Sequence, residues 1–276
     1  MNNAPIGIFD SGLGGLTVAR AVIDKLPDEE IIYLGDTEHT PYGSRAIAQV
    51  RSLTLSALDE LASSGVKALV IACNTATAAA LADARERYWI DAGIPVIEVI
   101  TPAARQSVSA TRNRHVGVIG TKATIQSEAY LRALAAVPGL RVTQQACPAF
   151  VDFVEAGVTT GDEIEAVATE YLTPLKAAGV DTLILGCTHY PLLTGVISRV
   201  MGDGVTLVTS SEATANMTYN ELVDRALLHD PWPEGARPEH QFLTTGASEA
   251  FPLLARRFLG PEVGSVGRVR TGGGIA

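Results

Sequence analysis

The chain has 276 residues, 47% of them hydrophobic and 18% charged, with a formal net charge of -9; this balance fits one large or two moderate globular domains with a full core and excludes extensive disorder. No Lys/Arg stripe supplies a nucleic-acid footprint, although helix N-termini leave local binding of a small anion open. No apolar run reaches membrane-spanning length and no charged-then-apolar leader precedes the first strand, so the expectation is a soluble, cytoplasmic protein away from any membrane, with its three cysteines reduced.

In chain order, Ile6 to Phe9 reads as a short buried strand, followed by Asp10-Ser11-Gly12-Leu-Gly14-Gly15-Leu, which opens a helix. The next strand, Ile31 to Leu34, leads to Asp36. Together these copy a dinucleotide fingerprint with its ribose-binding acid, but faultily: Thr17 stands where the third glycine belongs, and Asp10 would oppose a pyrophosphate. The glycines read better as letting backbone N–H groups approach a small carboxylate. After Ser44 a helix carries the stripe Ile47, Val50, Ala57, Leu58 and Leu61. Strands at Ala68 to Ala72 and Val96 to Val99 complete a first series whose alternation with helices predicts a parallel sheet with crossovers.

A second series follows, with strands at Val116 to Ile119, Val142 to Ala146, Thr182 to Leu185 and Thr206 to Val208, and a helix opened by the capping-box pattern Thr160-Gly-Asp-Glu163. Ala-Leu-Val-Ile-Ala-Cys73-Asn-Thr in the first series and Thr-Leu-Ile-Leu-Gly-Cys187-Thr-His in the second are near duplicates, at roughly equal remove from their series' first strand. The chain therefore reads as two pseudo-symmetric α/β halves facing each other, each with a thiol at a strand's carboxyl end. Beyond Ser211 come a helix through Leu228, a turn at Pro231 to Pro238, a short strand near Phe242, a helix from Ser248 to Leu259 and a tail that reads as mobile from Gly264.

Both thiols precede a helix start, where the helix dipole favours thiolate. Zinc is one use for Cys73, Cys187, His189 and Cys147, but Cys-x-His lacks the paired local spacing of structural zinc sites. Redox chemistry is another, but no local Cys-x-x-Cys exists. No P-loop is present, and Lys122, the only lysine just after a strand, is slender support for a pyridoxal enzyme. Proton transfer at carbon fits best, because a racemase without cofactor must take a proton from one face of a stereocentre and return one to the other. Reacting atoms roughly 3 to 3.5 Å apart put the sulfurs about 6 to 7 Å apart, against about 2.05 Å in a disulfide. Asp10 and His189 are the helpers adjoining the two thiols, with Glu155 a third candidate, and Cys147, which has no twin, reads as structural.

Several motifs in one order resemble the cofactor-independent two-cysteine glutamate racemases: Gly7-Ile-Phe-Asp10-Ser11-Gly-Leu-Gly-Gly-Leu, Tyr33-Leu-Gly-Asp36, Pro41-Tyr42-Gly43, Ala72-Cys73-Asn74-Thr75-Ala76, Gly117-Val-Ile-Gly-Thr121, Phe150-Val-Asp-Phe-Val-Glu155-Ala-Gly and Gly186-Cys187-Thr188-His189-Tyr190-Pro191. The resemblance implies interconversion of L- and D-glutamate without a cofactor, supplying the D-isomer for peptidoglycan. Cys187 would deprotonate L-glutamate and Cys73 D-glutamate, assisted by Asp10, Glu155 and His189. Asp10-Ser11, Tyr42-Gly43, Asn74-Thr75 and Thr188-His189 would hold the amino and carboxylate groups. It further implies a homodimer, and two α/β domains around the active-site cleft: residues 1–99 completed by 211–276, and residues 100–210. Val99-Ile-Thr101-Pro102 departs from the relatives' acidic or glycine-containing turn. The same chemistry on aspartate, and a two-lobed module that clamps an amino acid without turning it over, are the rival readings.

Overall fold

Apolar runs with little polar alternation form strands that are covered on both faces, the burial expected of a parallel sheet under helices. The computed structural model describes residues 2–246, 255, 259 and 266–269. Its strands are β1 (Ile6–Asp10), β2 (Ile31–Gly35), β3 (Ala68–Ile71), β4 (Val96–Glu98), β5 (His115–Gly120), β6 (Arg141–Ala146), β7 (Thr182–Gly186), β8 (Thr206–Thr209), β9 (Gln241–Thr244) and β10 (Val266–Arg268). The helices are α1 (Leu16–Lys25), α2 (Ile47–Ser63), α3 (Asn74–Ala84), α4 (Ile100–Ala110), α5 (Lys122–Gln126), α6 (Ala129–Leu134), α7 (Ala149–Glu155), α8 (Asp162–Ala178), α9 (Thr194–Met201) and α10 (Ser210–Asp224).

Two sheets result, ordered β10-β9-β2-β1-β3-β4 and β6-β5-β7-β8, with every described pairing parallel. The order β2-β1-β3-β4 in the first sheet repeats as β6-β5-β7-β8 in the second, so the duplicated sequence pattern reflects a duplicated topology. Cys73 follows β3 and Cys187 follows β7, at matching positions in the two sheets. Parallel pairing puts all carboxyl ends of a sheet on one edge, where ligands bind in open α/β sheets.

One core joins the halves. Ile8, Val70 and Ile97 of the first sheet pack with Val18 and Val22 of α1, Ala103 of α4, Leu222 of α10, and Val118 and Ile184 of the second sheet. A second cluster puts Phe9, Leu34 and Ile71 against Leu58 and Leu61 of α2 and Ala76 of α3. Each such fully buried Leu, Ile or Phe contributes about 1.5–3 kcal/mol relative to an exposed one. The crossover between the halves is pinned at its start, because the Glu98 carboxylate accepts the N–H of Ile100 at 2.6 Å and of Thr101 at 3.1 Å.

Four local expectations change. Helix α8 begins at Asp162 behind Gly161, whose φ of 113° favours glycine, so Thr160 and Glu163 form no capping box. Ile47 begins α2 but is 42% exposed, because the buried stripe starts only at Val50. Helix α10 stops at Asp224 rather than Leu228, where Ala226 turns the chain with a φ of 56°. Within the tail, Val266–Arg268 is held in the sheet against β9. The expected helix from Ser248 lies, apart from Ala255 and Leu259, outside the described residues. Among the described residues, no helix is long and apolar enough to cross a membrane.

Candidate active site

The carboxyl ends of β1, β3, β5 and β7 meet around a cavity of about 250 Å³, small against the roughly 300–1,000 Å³ of drug-sized pockets. It matches an amino acid better than a dinucleotide. Both Cys73 and Cys187 line it, together with Ser11, Tyr42, Gly43, Asn74, Thr75, Thr188 and His189. Seven of the expected substrate-binding residues thus converge on the two thiols. Asp10 and Glu155 are not among the lining residues: Asp10 is fully buried at the end of β1, and Glu155 is half-exposed at the end of α7.

The thiols stand in different surroundings. Cys73 is the N-cap of α3; its Sγ accepts the Ala76 N–H at 3.4 Å and donates to Ser11 Oγ at 3.3 Å. Burial, and after it the nearby Asp10 carboxylate, push this thiol up to about 12 despite the helix N-terminus. Desolvation therefore overrides the dipole that favoured thiolate from sequence alone. Cys187 caps no α-helix, because a 3-10 turn at Tyr190–Leu193 separates it from α9. Instead its Sγ lies 3.8 Å from His189 Nδ1, whose Nε2 lies 3.3 Å from Glu155 Oε1. Burial alone would lower the His189 imidazole, but its bonds to Cys187 and Glu155 and the field of Asp10 raise it to about 10.

Asp10 is raised above the ordinary carboxylate range by burial, which the His189 charge and backbone N–H groups only partly offset. Its Oδ2 accepts the Gly12 N–H at 3.0 Å. Among the loop glycines, Gly14 and Gly15 serve close approach and do not line the cavity. A Cβ on Gly14 would meet Thr188 Oγ1 and lie 2.6 Å from His189 Nδ1, while one on Gly15 would strike Asp10. The expected carboxylate cradle thus becomes the packing joint between the β1 loop and the Cys187 loop.

Asp36, which imitated a ribose-binding acid, is a buried anchor. It accepts the Tyr42 hydroxyl at 2.6 Å and the Thr245 hydroxyl at 2.6 Å, and pairs with His39 Nδ1 at 2.9 Å. Tyr42 therefore faces the cavity with its hydroxyl already engaged, and the segment from Thr40 to Ser44 is tied to the end of β9. Asn74 Oδ1 accepts the Tyr130 hydroxyl at 2.7 Å, while its buried Nδ2 has no hydrogen-bond partner among the described residues. That orphan donor is suited to a carboxylate. Across the halves, the hydroxyls of Thr75, Thr121 and Thr124 close a buried ring of contacts at 3.0, 3.1 and 3.0 Å.

Sequence reasoning did not single out Thr121, Pro148, Val151 or Asp152 as lining residues, and considered Lys122 only as a pyridoxal anchor, yet all five line the cavity. The signal for Thr121 was the match of β5 to β1, which makes it the counterpart of Ser11. Cys147 is fully buried, and its carbonyl accepts the Tyr190 hydroxyl at 2.8 Å; it does not line the cavity. Among the described residues, no group of three or more His, Cys, Asp or Glu side chains is arranged to hold a metal ion.

Residues 16–218 match the family model for Asp/Glu/hydantoin racemases. A glutamate racemase of Beutenbergia cavernae is 61% identical over 272 residues, covering 96% of this chain and 93% of that protein. Among solved structures, glutamate racemase from Francisella tularensis in complex with D-glutamate superposes with a TM-score of 0.89 at 36% identity, over 98% of this chain and 99% of that one. A glutamate racemase isoform from Bacillus anthracis matches with a TM-score of 0.88 at 39% identity, over the full length of both chains.

Proposed function

Since the chain belongs to the Asp/Glu/hydantoin racemase family, and within it to the glutamate racemases, we propose that it interconverts L- and D-glutamate by proton transfer between two thiols at the α-carbon. The observation that carries this reading is the opening of Cys73 and Cys187, at matching strand ends of the two sheets, onto one cavity.

The different surroundings support different starting roles. Cys187 faces an imidazolium held by Glu155 and serves as the base toward L-glutamate, whereas Cys73, pushed up by burial and by the neighbouring Asp10, starts as the thiol. With L-glutamate bound, Cys187 takes the α-proton and Cys73 delivers its own to the opposite face, leaving a Cys73 thiolate and a Cys187 thiol. The Ala76 N–H and a reoriented Ser11 hydroxyl then stabilise the new thiolate. D-glutamate runs the same steps backwards. Asp10, with its raised proton affinity, can return the proton on the Cys73 side. The orphan Asn74 donor, Thr75 and Thr188 are suited to the α-carboxylate and α-amino group, and Ser11 with the Tyr42-Gly43 turn to the far carboxylate.

In D2O, each enantiomer should yield product carrying deuterium at the α-carbon with no added cofactor. Turnover without solvent deuterium at that carbon would sink the reading, and running aspartate alongside decides the substrate.

A pH prediction follows from His189. Its folded value of about 10 exceeds the roughly 6.5 of a free imidazole. The imidazolium's contribution is therefore fully present below about pH 6.5 and is lost as pH rises through about 10. Turnover of L-glutamate should hold through neutrality and decline along a limb near pH 10 that His189→Asn removes. A limb near 6.5 would show that Cys187 and Glu155 do not hold the proton there.

The same reading includes supply of D-glutamate for peptidoglycan, a cytoplasmic location, a homodimer and the division of the chain near residues 99 and 210. These extensions rest on kinship with the glutamate racemases, the last also on the two separate sheets.

A further inference from the structure

Three side chains with formal charge line the cavity besides the thiols: buried His189, and the exposed Lys122 and Asp152. Lys122 opens α5 directly after Thr121, on which Gly43 rests so closely that a Cβ there would lie 2.7 Å from Thr121 Cβ. It therefore stands beside the Tyr42-Gly43 turn, on the side assigned above to the far carboxylate. Among the described residues the Lys122 side chain forms no hydrogen bond or ion pair, whereas Glu155 is paired with His189.

The chain carries a net charge of -9, so the general field repels an anionic substrate. Asp152 adds a negative charge at the rim itself. Glutamate bears two carboxylates and one ammonium, and no other Lys or Arg lines the cavity to receive the uncompensated carboxylate. A lysine suits this position because its flexible four-carbon stem keeps the ammonium solvated until an anion arrives.

We infer that Lys122 is a steering residue of the cavity mouth: its ammonium offsets the charge of Asp152 and draws the side-chain carboxylate of the substrate to the Tyr42-Gly43 turn. This rests on the racemase reading and adds a role outside the proton-transfer machinery. Its effect falls on capture of substrate rather than on the chemical step.

The test is the ionic-strength dependence of glutamate racemisation by wild type, Lys122→Gln and Lys122→Arg. At low salt, Lys122→Gln should lower kcat/KM by about three- to tenfold through KM, with kcat within about twofold. Lys122→Arg should restore most of the loss. Raising ionic strength from 0.01 to 1 M shortens the screening length from about 30 to about 3 Å, so wild-type kcat/KM should fall with salt and that of Lys122→Gln should not. A wild-type KM and salt slope in Lys122→Gln would overturn the assignment, as would a loss confined to kcat or one that arginine does not restore. Wild type that binds glutamate but never racemises it would overturn the functional reading, and this inference with it.

Discussion

Serine in place of either Cys73 or Cys187 is expected to lower racemisation by about a thousandfold or more, because a hydroxyl is a far weaker carbon acid–base partner at neutral pH than a thiol. The two enantiomers have equal free energy in water, so kcat/KM must fall equally in both directions whichever sulfur is lost. The variants differ in what the surviving thiol still does. Cys73→Ser keeps Cys187 and its His189 partner, so it should still exchange the α-proton of L-glutamate with solvent, with retention of configuration. Cys187→Ser should exchange that of D-glutamate. Proton NMR in D2O separates the two, and Cys147→Ala, at a buried position that does not line the cavity, should retain activity. Equal losses in all three variants would point to folding or a metal rather than to two acid–base thiols.

Gly14→Ala should also lower the rate, by less than loss of either sulfur, although Gly14 does not line the cavity. The added methyl would lie 2.6 Å from His189 Nδ1, the atom that faces Cys187. Overpacking of this kind costs about 1–3 kcal/mol, and a displacement of about 1 Å at a reacting group costs on the order of a hundredfold in rate. Thermal unfolding and kcat/KM should therefore both decline, with the steeper loss in rate. Gly195→Ala, in the first turn of α9, is the control: its Cβ meets nothing within 4 Å, and helix propensity favours alanine over glycine. A silent Gly14→Ala would mean that the β1 loop does not hold the His189 loop in place.

Much of the fold was legible because its signals are local. Apolar runs such as Ile6 to Phe9 and Thr182 to Leu185 are buried on both faces, so each announces a strand without help from distant residues. The duplicated thiols were legible for the same reason, and their common cavity follows from the repeated strand order. The sequence could set aside a ribose-binding role for Asp36 but offered no other, because its meaning lies at long range: Thr245, one of its partners, is 209 residues away in sequence. Gly14 likewise answers to a loop reached only after β7. The capping box failed because Thr160-x-x-Glu163 specifies a composition, whereas the backbone at Gly161 decides where α8 begins. The contrast between the thiols was hidden too, since burial beside Asp10 is a property of packing and not of spacing.

The joining of β9 to β2 has a consequence for biosynthesis. The second sheet uses a continuous stretch, from His115 to Thr209, and can assemble as that stretch leaves the ribosome. The first cannot: β2 keeps an open edge until Gln241–Thr244 arrives, and Asp36 waits for Thr245 before the Tyr42 turn is fully anchored. A nascent chain halted after α10 would already carry both sulfurs but would lack that anchor, so competence for turnover waits for the arrival of residues 241–245.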